Sequence, residues 1–176
     1  MKKTILVTIF LISAIAASAQ NTSTSYIEKF KDDAIRIMHQ SGIPASIVLA
    51  VAMHESGCGN SNLAQQFNNQ FGIKGYDSHV IIKHRKQVTT HYKKYASVMD
   101  SFEDFARIMT ERKQFSHLAE NLTHYDYFGW ARGIQRSGYA ASHRWSADVL
   151  GLIKKYKLNL FDENPADQPQ LEAKVQ

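Results

Sequence analysis

Glu55 is the residue that most directly suggests chemistry in this sequence. It follows a stretch, Ala45 to Met53, that carries no charged residue, so its carboxyl group is expected to be partly buried. Burial and the C-terminal end of a helix both favour the protonated form of a carboxyl group. A carboxylic acid that keeps its proton near neutral pH can protonate a leaving-group oxygen. A lone Glu at a helix end is more often a solvated or ion-paired side chain, so this hypothesis needs support from the neighbouring sequence.

The elements that would position Glu55 are mainly helices. Residues 26–40 carry apolar residues at helical spacing with charges on the opposite face, which predicts an amphipathic helix. Pro44 suits the first turn of the next helix, Ala45 to Glu55, which is apolar nearly all round and is therefore predicted to be central and buried. One helical turn is expected near Leu63. Further helices are predicted at residues 101–111, behind Asp100 or Ser101 as a cap, and at residues 125–136 and 142–156.

The helical period disappears between residues 76 and 95. Two β-prone segments, residues 79–82 and 88–92, are separated by the basic run of residues 83–86, which predicts a small hairpin. The predicted fold class is therefore mainly α (α+β), a helical domain with one small β lobe. A length of 176 residues suits one compact domain.

The two ends of the chain differ in composition from its middle. Residues 1–19 combine a basic start, an apolar run and small residues before Gln20, which is typical of a cleaved signal peptide and implies export. Residues 161–176 are acidic and contain Pro165 and Pro169, which predicts a flexible tail. The expected domain is residues 20–160, and the basic residues behind the net charge of +5 are concentrated there. An uncleaved anchor helix remains the alternative for residues 1–19.

Two sequence blocks around Glu55 raise its significance. Residues 54–64 read H-E-S-G-C-G-N-S-N-L-A, and residues 68–75 read N-N-Q-F-G-I-K-G. Two later blocks are Y-A-S at residues 95–97 and W-A-R-G-I-Q-R-S-G-Y-A at residues 130–140. Together they resemble the bacterial peptidoglycan N-acetylglucosaminidases of glycoside hydrolase family 73, over roughly residues 30–160. Cys58 departs from that family's pattern, since relatives usually carry an aromatic residue at this position.

The resemblance implies a lysozyme-like helical fold with a substrate groove between a helical lobe and a small β lobe. It implies that Glu55 is the general acid and that Tyr139 lines the same site. It implies no metal and no organic cofactor. The candidate substrate-binding residues are those of the matching blocks: Ser56, Gly57, Asn68, Asn69, Phe71 and Trp130.

Several of these residues also have structural explanations. Gly57 is expected to end the helix in any case, and the two Asn residues can equally fix their loop. Phe71 is more often a core residue in such a position. Trp130 and Trp145 are candidates to stack on sugar rings, although Trp at helical spacing is usually part of a core.

The second catalytic group is less well defined. Two-carboxylate hydrolysis needs a partner about 5 to 10 Å from the acid, and relatives often supply a Glu from the β lobe. Asp77 is the single acid between residues 75 and 99, and it is the candidate, although it also suits a turn. Assistance by the substrate's acetamido group, or a mechanism driven by Glu55 with help from Tyr139, are open alternatives.

The histidines and the basic lobe suggest no other class of site. The spacing of His79, His84 and His91 lacks carboxylate partners, so a zinc site is not expected. The basic residues of the lobe could attract carboxylates and phosphates of the cell wall, whereas nucleic acid is not an expected partner of an exported protein.

The sequence therefore predicts an exported, periplasmic or extracellular hydrolase. It is expected to be a monomer without a membrane anchor after cleavage, and to cut β-1,4 bonds of peptidoglycan glycan strands after N-acetylglucosamine. A muramidase or lytic transglycosylase on the same fold and a non-catalytic wall-binding module are the alternatives.

Overall fold

The computed structural model of the protein describes residues 20–163, apart from the side chains of Asp77 and Lys83. The signal peptide predicted at residues 1–19 and the tail beyond residue 163 lie outside the described residues. The helices are α1 (Ser23–Ser41), α2 (Ala45–Ser56), α3 (Asn62–Phe67), α4 (Val98–Glu111), α5 (Ser116–Asn121), α6 (Tyr127–Arg136) and α7 (Trp145–Tyr156), followed by a 3-10 turn (Leu158–Phe161). Strands β1 (Lys74–Lys83) and β2 (Lys86–Tyr92) form the small β lobe. The predicted architecture, mainly helical with one hairpin, is confirmed.

Helix α2 is the centre of the domain, as its composition predicts. Every residue from Ala45 to Met53 is at most 2% exposed, because α1, α6, α7 and the 3-10 turn surround the helix. The helix ends at Gly57, which has a φ of +58° and donates its N–H to the carbonyl of Met53. Glycine adopts this left-handed conformation without strain. Glu55, in the last turn, is only partly buried, so α2 carries this carboxyl from the core to the surface.

Several helices begin at residues other than the predicted ones. Helix α4 starts at Val98 and not near Ser101, because the side chains of Ser97 and Asp100 form a capping box. Helix α7 starts at Trp145 and not at Ser142. Helix α5 and the 3-10 turn were not predicted, since each is too short to show a period.

The hairpin pairs β1 with β2 in antiparallel register, with Lys83 opposite Lys86. His84 and Arg85 form its turn, both with positive φ, as a two-residue turn of this kind requires. The register shifts between Lys74 and His79, so the strand is irregular near its base. The hairpin is joined to α3 by hydrogen bonds at Ile82. Its carbonyl accepts from the side-chain amides of Asn62 and Gln66, and its N–H donates to the side-chain oxygen of Gln66.

The C-terminal boundary of the domain lies further along the chain than predicted. Phe161 belongs to the 3-10 turn, and Asp162 is 2% exposed. The Asp162 carboxylate accepts hydrogen bonds from the backbone N–H of Ser46 at 2.8 Å and from its hydroxyl at 2.6 Å. The prediction that the flexible tail begins at residue 161 is therefore wrong, because Asp162 binds the buried N–H of Ser46, which has no partner within the first turn of α2.

Within residues 20–163, none of the helices combines the length and the apolar character needed to cross a bilayer.

Candidate active site

A cleft of about 420 Å³ opens between the hairpin and the helices, and Glu55 lies in its wall. Its lining comes from the end of α2, the segment before β1, the base of the hairpin, the end of α4 and the loop after α6. The lining residues are Glu55, Phe71, Gly72, Ile73, Lys74, Tyr92, Ile108, Arg112, Gln114, Phe115, Gly138, Tyr139 and Ala140. A cleft between a helical lobe and a β lobe is thus present where the sequence analysis expected one.

The two carboxyl oxygens of Glu55 have different surroundings. Oε1 accepts a 2.7 Å hydrogen bond from Nε1 of Trp145, whose side chain is 1% exposed. Oε2 faces Gly72, where the Cβ of a larger residue would lie 3.8 Å away. The indole N–H can only donate, so the proton of a neutral Glu55 is expected on Oε2. The geometry therefore directs the acidic proton to one defined oxygen.

Tyr139 lies beside this pair, as the sequence analysis expected. Its hydroxyl donates a 2.9 Å hydrogen bond to the carbonyl of Phe71, and its ring centroid is 5.4 Å from that of Trp145. Burial raises the pKa of Tyr139 well above its ordinary value, and the negative charge of Glu55 acts in the same direction. Tyr139 is therefore a neutral phenol at physiological pH.

Ser56 and Gly57 have structural roles in the fold. Ser56 is fully buried, donates its hydroxyl hydrogen to the carbonyl of Ala52 and accepts the N–H of Gly59. Gly57 ends α2. The prediction that Ser56 contacts the substrate is wrong, because its hydroxyl is enclosed and both of its hydrogen-bonding functions are occupied.

Asn68 and Asn69 hold the segment that leads into β1. Asn69 is 1% exposed, and its amide donates to the carbonyls of Ile73 and Lys93 while it accepts the N–H of Ile73. Asn68 has a positive φ and donates to the carbonyls of Tyr95 and Ala96. These contacts favour the loop-fixing interpretation, and for the buried Asn69 they contradict direct sugar contact.

Phe71 and Trp130 belong to the core. The Phe71 side chain is 2% exposed and stacks on Phe105 with ring centroids 4.4 Å apart. Phe71 reaches the cleft with its backbone carbonyl, which Tyr139 binds. Trp130 is 0% exposed and donates its Nε1 hydrogen to the carbonyl of Thr123 at 3.1 Å. The predicted sugar contact of Trp130 is therefore wrong, because its whole ring is enclosed.

Asp77 lies on β1, in the segment where the hairpin register shifts. Among the described side chains that line the cleft, Glu55 is the single carboxylate. The other acids near the hairpin have structural partners: Asp100 caps α4, and Asp104 accepts hydrogen bonds from Lys93 and Tyr95.

Part of the site is not predicted from the sequence. The sequence suggests that Trp145 stacks on sugar or belongs to the core, and it indicates no role for Lys74, Arg112 or Gln114. Trp145 lies 90 residues from Glu55, so no local spacing could indicate their contact. In the part of the chain that the structure describes, no group of three or more His, Cys, Asp or Glu side chains is placed to hold a metal ion.

Two known proteins are similar in sequence to most of this chain. The exo-glucosaminidase LytG of Bacillus subtilis is 28% identical over 156 residues, which is 80% of this chain and 54% of LytG. The peptidoglycan hydrolase FlgJ of Vibrio cholerae is 24% identical over 168 residues, covering 87% of this chain and 49% of FlgJ. This chain thus spans about half the length of these two relatives.

Solved structures share the fold. The glycoside hydrolase domain of FlgJ from Salmonella typhimurium superposes with a TM-score of 0.63 at 22% identity, covering 78% of this chain and 89% of that one. An N-acetylmuramoyl-L-alanine amidase from Staphylococcus aureus gives a TM-score of 0.68 at 24% identity, covering 82% of this chain and 45% of the other. These similarities confirm the lysozyme-like helical fold with its small β lobe.

The sequence profile of one family covers most of the chain. It matches residues 31–158 and so includes α2 with Glu55, the hairpin, and α7 with Trp145. The chain therefore belongs to the glucosaminidase family described as mannosyl-glycoprotein endo-beta-N-acetylglucosaminidase, the family that its sequence motifs resemble.

Proposed function

We propose that the protein is a peptidoglycan hydrolase that cleaves the β-1,4 glycosidic bond after N-acetylglucosamine, with Glu55 as the general acid. The observation that carries this proposal is the position of Glu55 in the cleft, with Oε1 bound to Trp145 and Oε2 beside Gly72. The family and the names of the relatives LytG and FlgJ support the reaction class.

The chemical step assigned to Glu55 is protonation of the leaving group. Its Oε2 hydrogen passes to the glycosidic oxygen while the bond between that oxygen and the anomeric carbon breaks, and the sugar develops oxocarbenium character. Glu55 is left as a carboxylate. The N–H of Trp145 then stabilises the new negative charge more strongly than it stabilised the neutral acid.

The group that completes the reaction has three candidates. Asp77 could act as base or nucleophile, the substrate's acetamido group could attack, or water could add with assistance from Tyr139. A neutral Tyr139 whose hydrogen is donated to Phe71 would use its oxygen as a hydrogen-bond acceptor for water or substrate, and not as a base.

Mass spectrometry of digested sacculi tests the proposal. Wild type should release fragments with a reducing N-acetylglucosamine end, and Glu55→Gln should lose at least about two orders of magnitude of activity while remaining folded. Near-wild-type turnover by Glu55→Gln would contradict the assignment of the acid. The same assay with Asp77→Asn tests whether Asp77 is the second catalytic carboxylate, because an unchanged rate would exclude that role.

A lytic transglycosylase is the second candidate, because Glu55 is the single carboxylate among the described lining residues. Such an enzyme needs one acid or base group and forms an anhydromuramyl end. The same mass spectra separate the two activities. A muramidase would leave reducing muramic acid ends. A wall-binding module without activity would bind sacculi but release nothing with either wild type or Glu55→Gln.

We further propose that the protein is exported, that residues 1–19 are removed, and that residues from Gln20 onward act as a monomer free of the membrane. The intact mass of the protein recovered from the periplasm or the medium should correspond to a start at Gln20. Light scattering during gel filtration should give the mass of one chain.

A further inference from the structure

Two cations line the cleft and form no ion pair with the carboxylates that the structure describes. Lys74 and Arg112 are both exposed residues of the cleft wall, and within residues 20–163 no described acid forms an ion pair with either of them. Nearby cations are different, because Lys93 and Arg107 both bind the carboxylate of Asp104. Lys74 and Arg112 are therefore available to a ligand.

Both residues extend from fixed backbone. Lys74 pairs with Tyr92 at the base of the hairpin, and the buried amide of Asn69 holds the residue before it, Ile73. Arg112 follows α4, and its carbonyl accepts the N–H groups of Phe115 and Ser116 at 2.7 and 2.9 Å.

The turn after α4 is also joined to the loop that carries Tyr139. The side-chain amide of Gln114 donates to the carbonyl of Ser137, two residues before Tyr139. The cleft thus has one cation on its β-lobe side and one on its helical side, each on a backbone that other contacts hold in place.

The charge of the cleft does not suit an entirely neutral glycan. When Glu55 carries its proton for catalysis, the described lining holds two positive charges and no negative one. A neutral sugar would desolvate these cations without a charged partner, which is unfavourable, whereas a carboxylate would gain charge-assisted hydrogen bonds. The cleft therefore favours a ligand with a carboxylate.

The substrate of the proposed function supplies such a group on one of its two sugars. N-acetylglucosamine is neutral, but the muramyl sugar carries a lactyl carboxyl group. This group is either free or joined to a stem peptide that has carboxylates of its own.

We propose that Lys74 and Arg112 form a carboxylate-binding site that recognises the muramyl unit next to the cleaved bond. The inference rests on the proposed function and extends it, since it makes the cleft specific for muramyl-containing chains over neutral N-acetylglucosamine polymers. The ligand group is a carboxylate, from either the lactyl ether or the stem peptide.

Binding measurements on three forms of one oligosaccharide test the site. The forms carry the stem peptide, the free lactyl carboxylate after removal of the peptide, or a lactyl carboxamide. Calorimetry uses Glu55→Gln, which retains the ligand, and the same protein with Lys74→Gln or Arg112→Gln added. Arg85→Gln, at the exposed hairpin turn outside the cleft lining, is the matched control for general electrostatic attraction.

We expect Lys74→Gln and Arg112→Gln each to weaken binding of a carboxylate form by about tenfold, the size of one charge-assisted hydrogen bond. Binding of the carboxamide form should change less than about twofold, and Arg85→Gln should change none of the three. If the variants bind the free lactyl form more weakly, the site recognises the lactyl carboxylate. If they bind only the peptide form more weakly, the site recognises a carboxylate of the stem peptide.

Equal weakening for the carboxamide form, or equal weakening by Arg85→Gln, would overturn the carboxylate site and leave the proposed function intact. Failure of Glu55→Gln to bind any of the three forms would contradict the proposed function, and this inference with it. Circular dichroism of each variant confirms that the protein is folded.

Discussion

Nε1 of Trp145 donates a 2.7 Å hydrogen bond to Oε1 of Glu55. This contact joins the first turn of α7 to the last turn of α2. Trp145 is 1% exposed, so the bond lies on the protein side of the carboxyl group and leaves Oε2 towards the cleft. Under the proposed function, Trp145 is a positioning residue for Glu55.

Replacing Trp145 with Phe removes the donor and keeps most of the ring packing. We expect kcat to fall about 10- to 100-fold with little change in KM, since a hydrogen bond to a group that becomes charged in the transition state is lost. Steady-state kinetics on sacculi measures kcat and KM separately.

Trp130→Phe is the matched control for Trp145→Phe. It removes an indole hydrogen bond to a backbone carbonyl, that of Thr123, in an equally buried position that does not line the cleft. This variant should lower stability and leave kcat and KM nearly unchanged. An equal loss of kcat with Trp130→Phe, or no loss with Trp145→Phe, contradicts the positioning role.

Gly72→Ala should impair catalysis more than its effect on folding explains. Gly72 has a φ of +63°, and an added Cβ would lie 3.8 Å from Oε2 of Glu55. The proposed function requires the glycosidic oxygen to approach Oε2 at this place. Gly42→Ala imposes a similar backbone strain at a φ of +74° with no atom within 4 Å. Both variants should lose about 1 kcal/mol of stability in urea unfolding, but only Gly72→Ala should lose activity, by about tenfold or more. Equal activities would exclude a role of Gly72 in access to the acid.

Tyr139→Phe should lower kcat by about tenfold and stability by about 1 kcal/mol. The variant loses the hydrogen bond to the Phe71 carbonyl and the oxygen that lines the cleft, each a modest contribution. Burial keeps the pKa of Tyr139 far above neutrality. The pH–rate profile of Tyr139→Phe should therefore keep every limb that the wild-type profile shows below about pH 9. The loss of such a limb would show that Tyr139 titrates during catalysis.

Asp162 should make the stability of the domain depend on pH. Burial raises the pKa of Asp162 to about 6 from an ordinary value of 3.8, despite the opposing hydrogen bonds from Ser46. The folded state therefore binds this proton more tightly than the unfolded state does. The stabilisation that the protonated Asp162 gives to the folded state is complete below about pH 4 and is lost as the pH rises through about 6.

Asp162→Asn keeps an acceptor for the Ser46 N–H and removes the titration. The free energy of unfolding of wild type, measured relative to Asp162→Asn, should fall by on the order of 2 kcal/mol between about pH 4 and about pH 7. Urea unfolding of both proteins at each pH measures this difference. The contributions of the other titrating groups are the same in both proteins and therefore cancel. A difference that is constant with pH would contradict the assignment to Asp162.

The amino-acid sequence alone predicts the main helices, the hairpin and the candidate acid. The apolar stretch of Ala45 to Met53 predicted a buried helix because such a composition cannot face water on any side. The loss of helical period after residue 75 predicted the hairpin, and the motif around Glu55 predicted the family. These features are encoded over a few consecutive residues, so they can be read without a structure.

Which motif residues face the cleft depends on how the helices and the hairpin pack together. Ser56, Asn69 and Trp130 belong to the same motif blocks as Glu55 and Tyr139, yet they are buried and bonded to the backbone. Sequence cannot separate these groups, because a residue that holds a loop and a residue that contacts a substrate can have the same type and spacing.

The partner of the acid was also decided by the fold. Trp145 reaches Glu55 from 90 residues away, and Asp162 reaches Ser46 from 116 residues away. Such contacts depend on how α7 and the final turn pack on α2. Packing is a property of the whole core, so no local pattern records it.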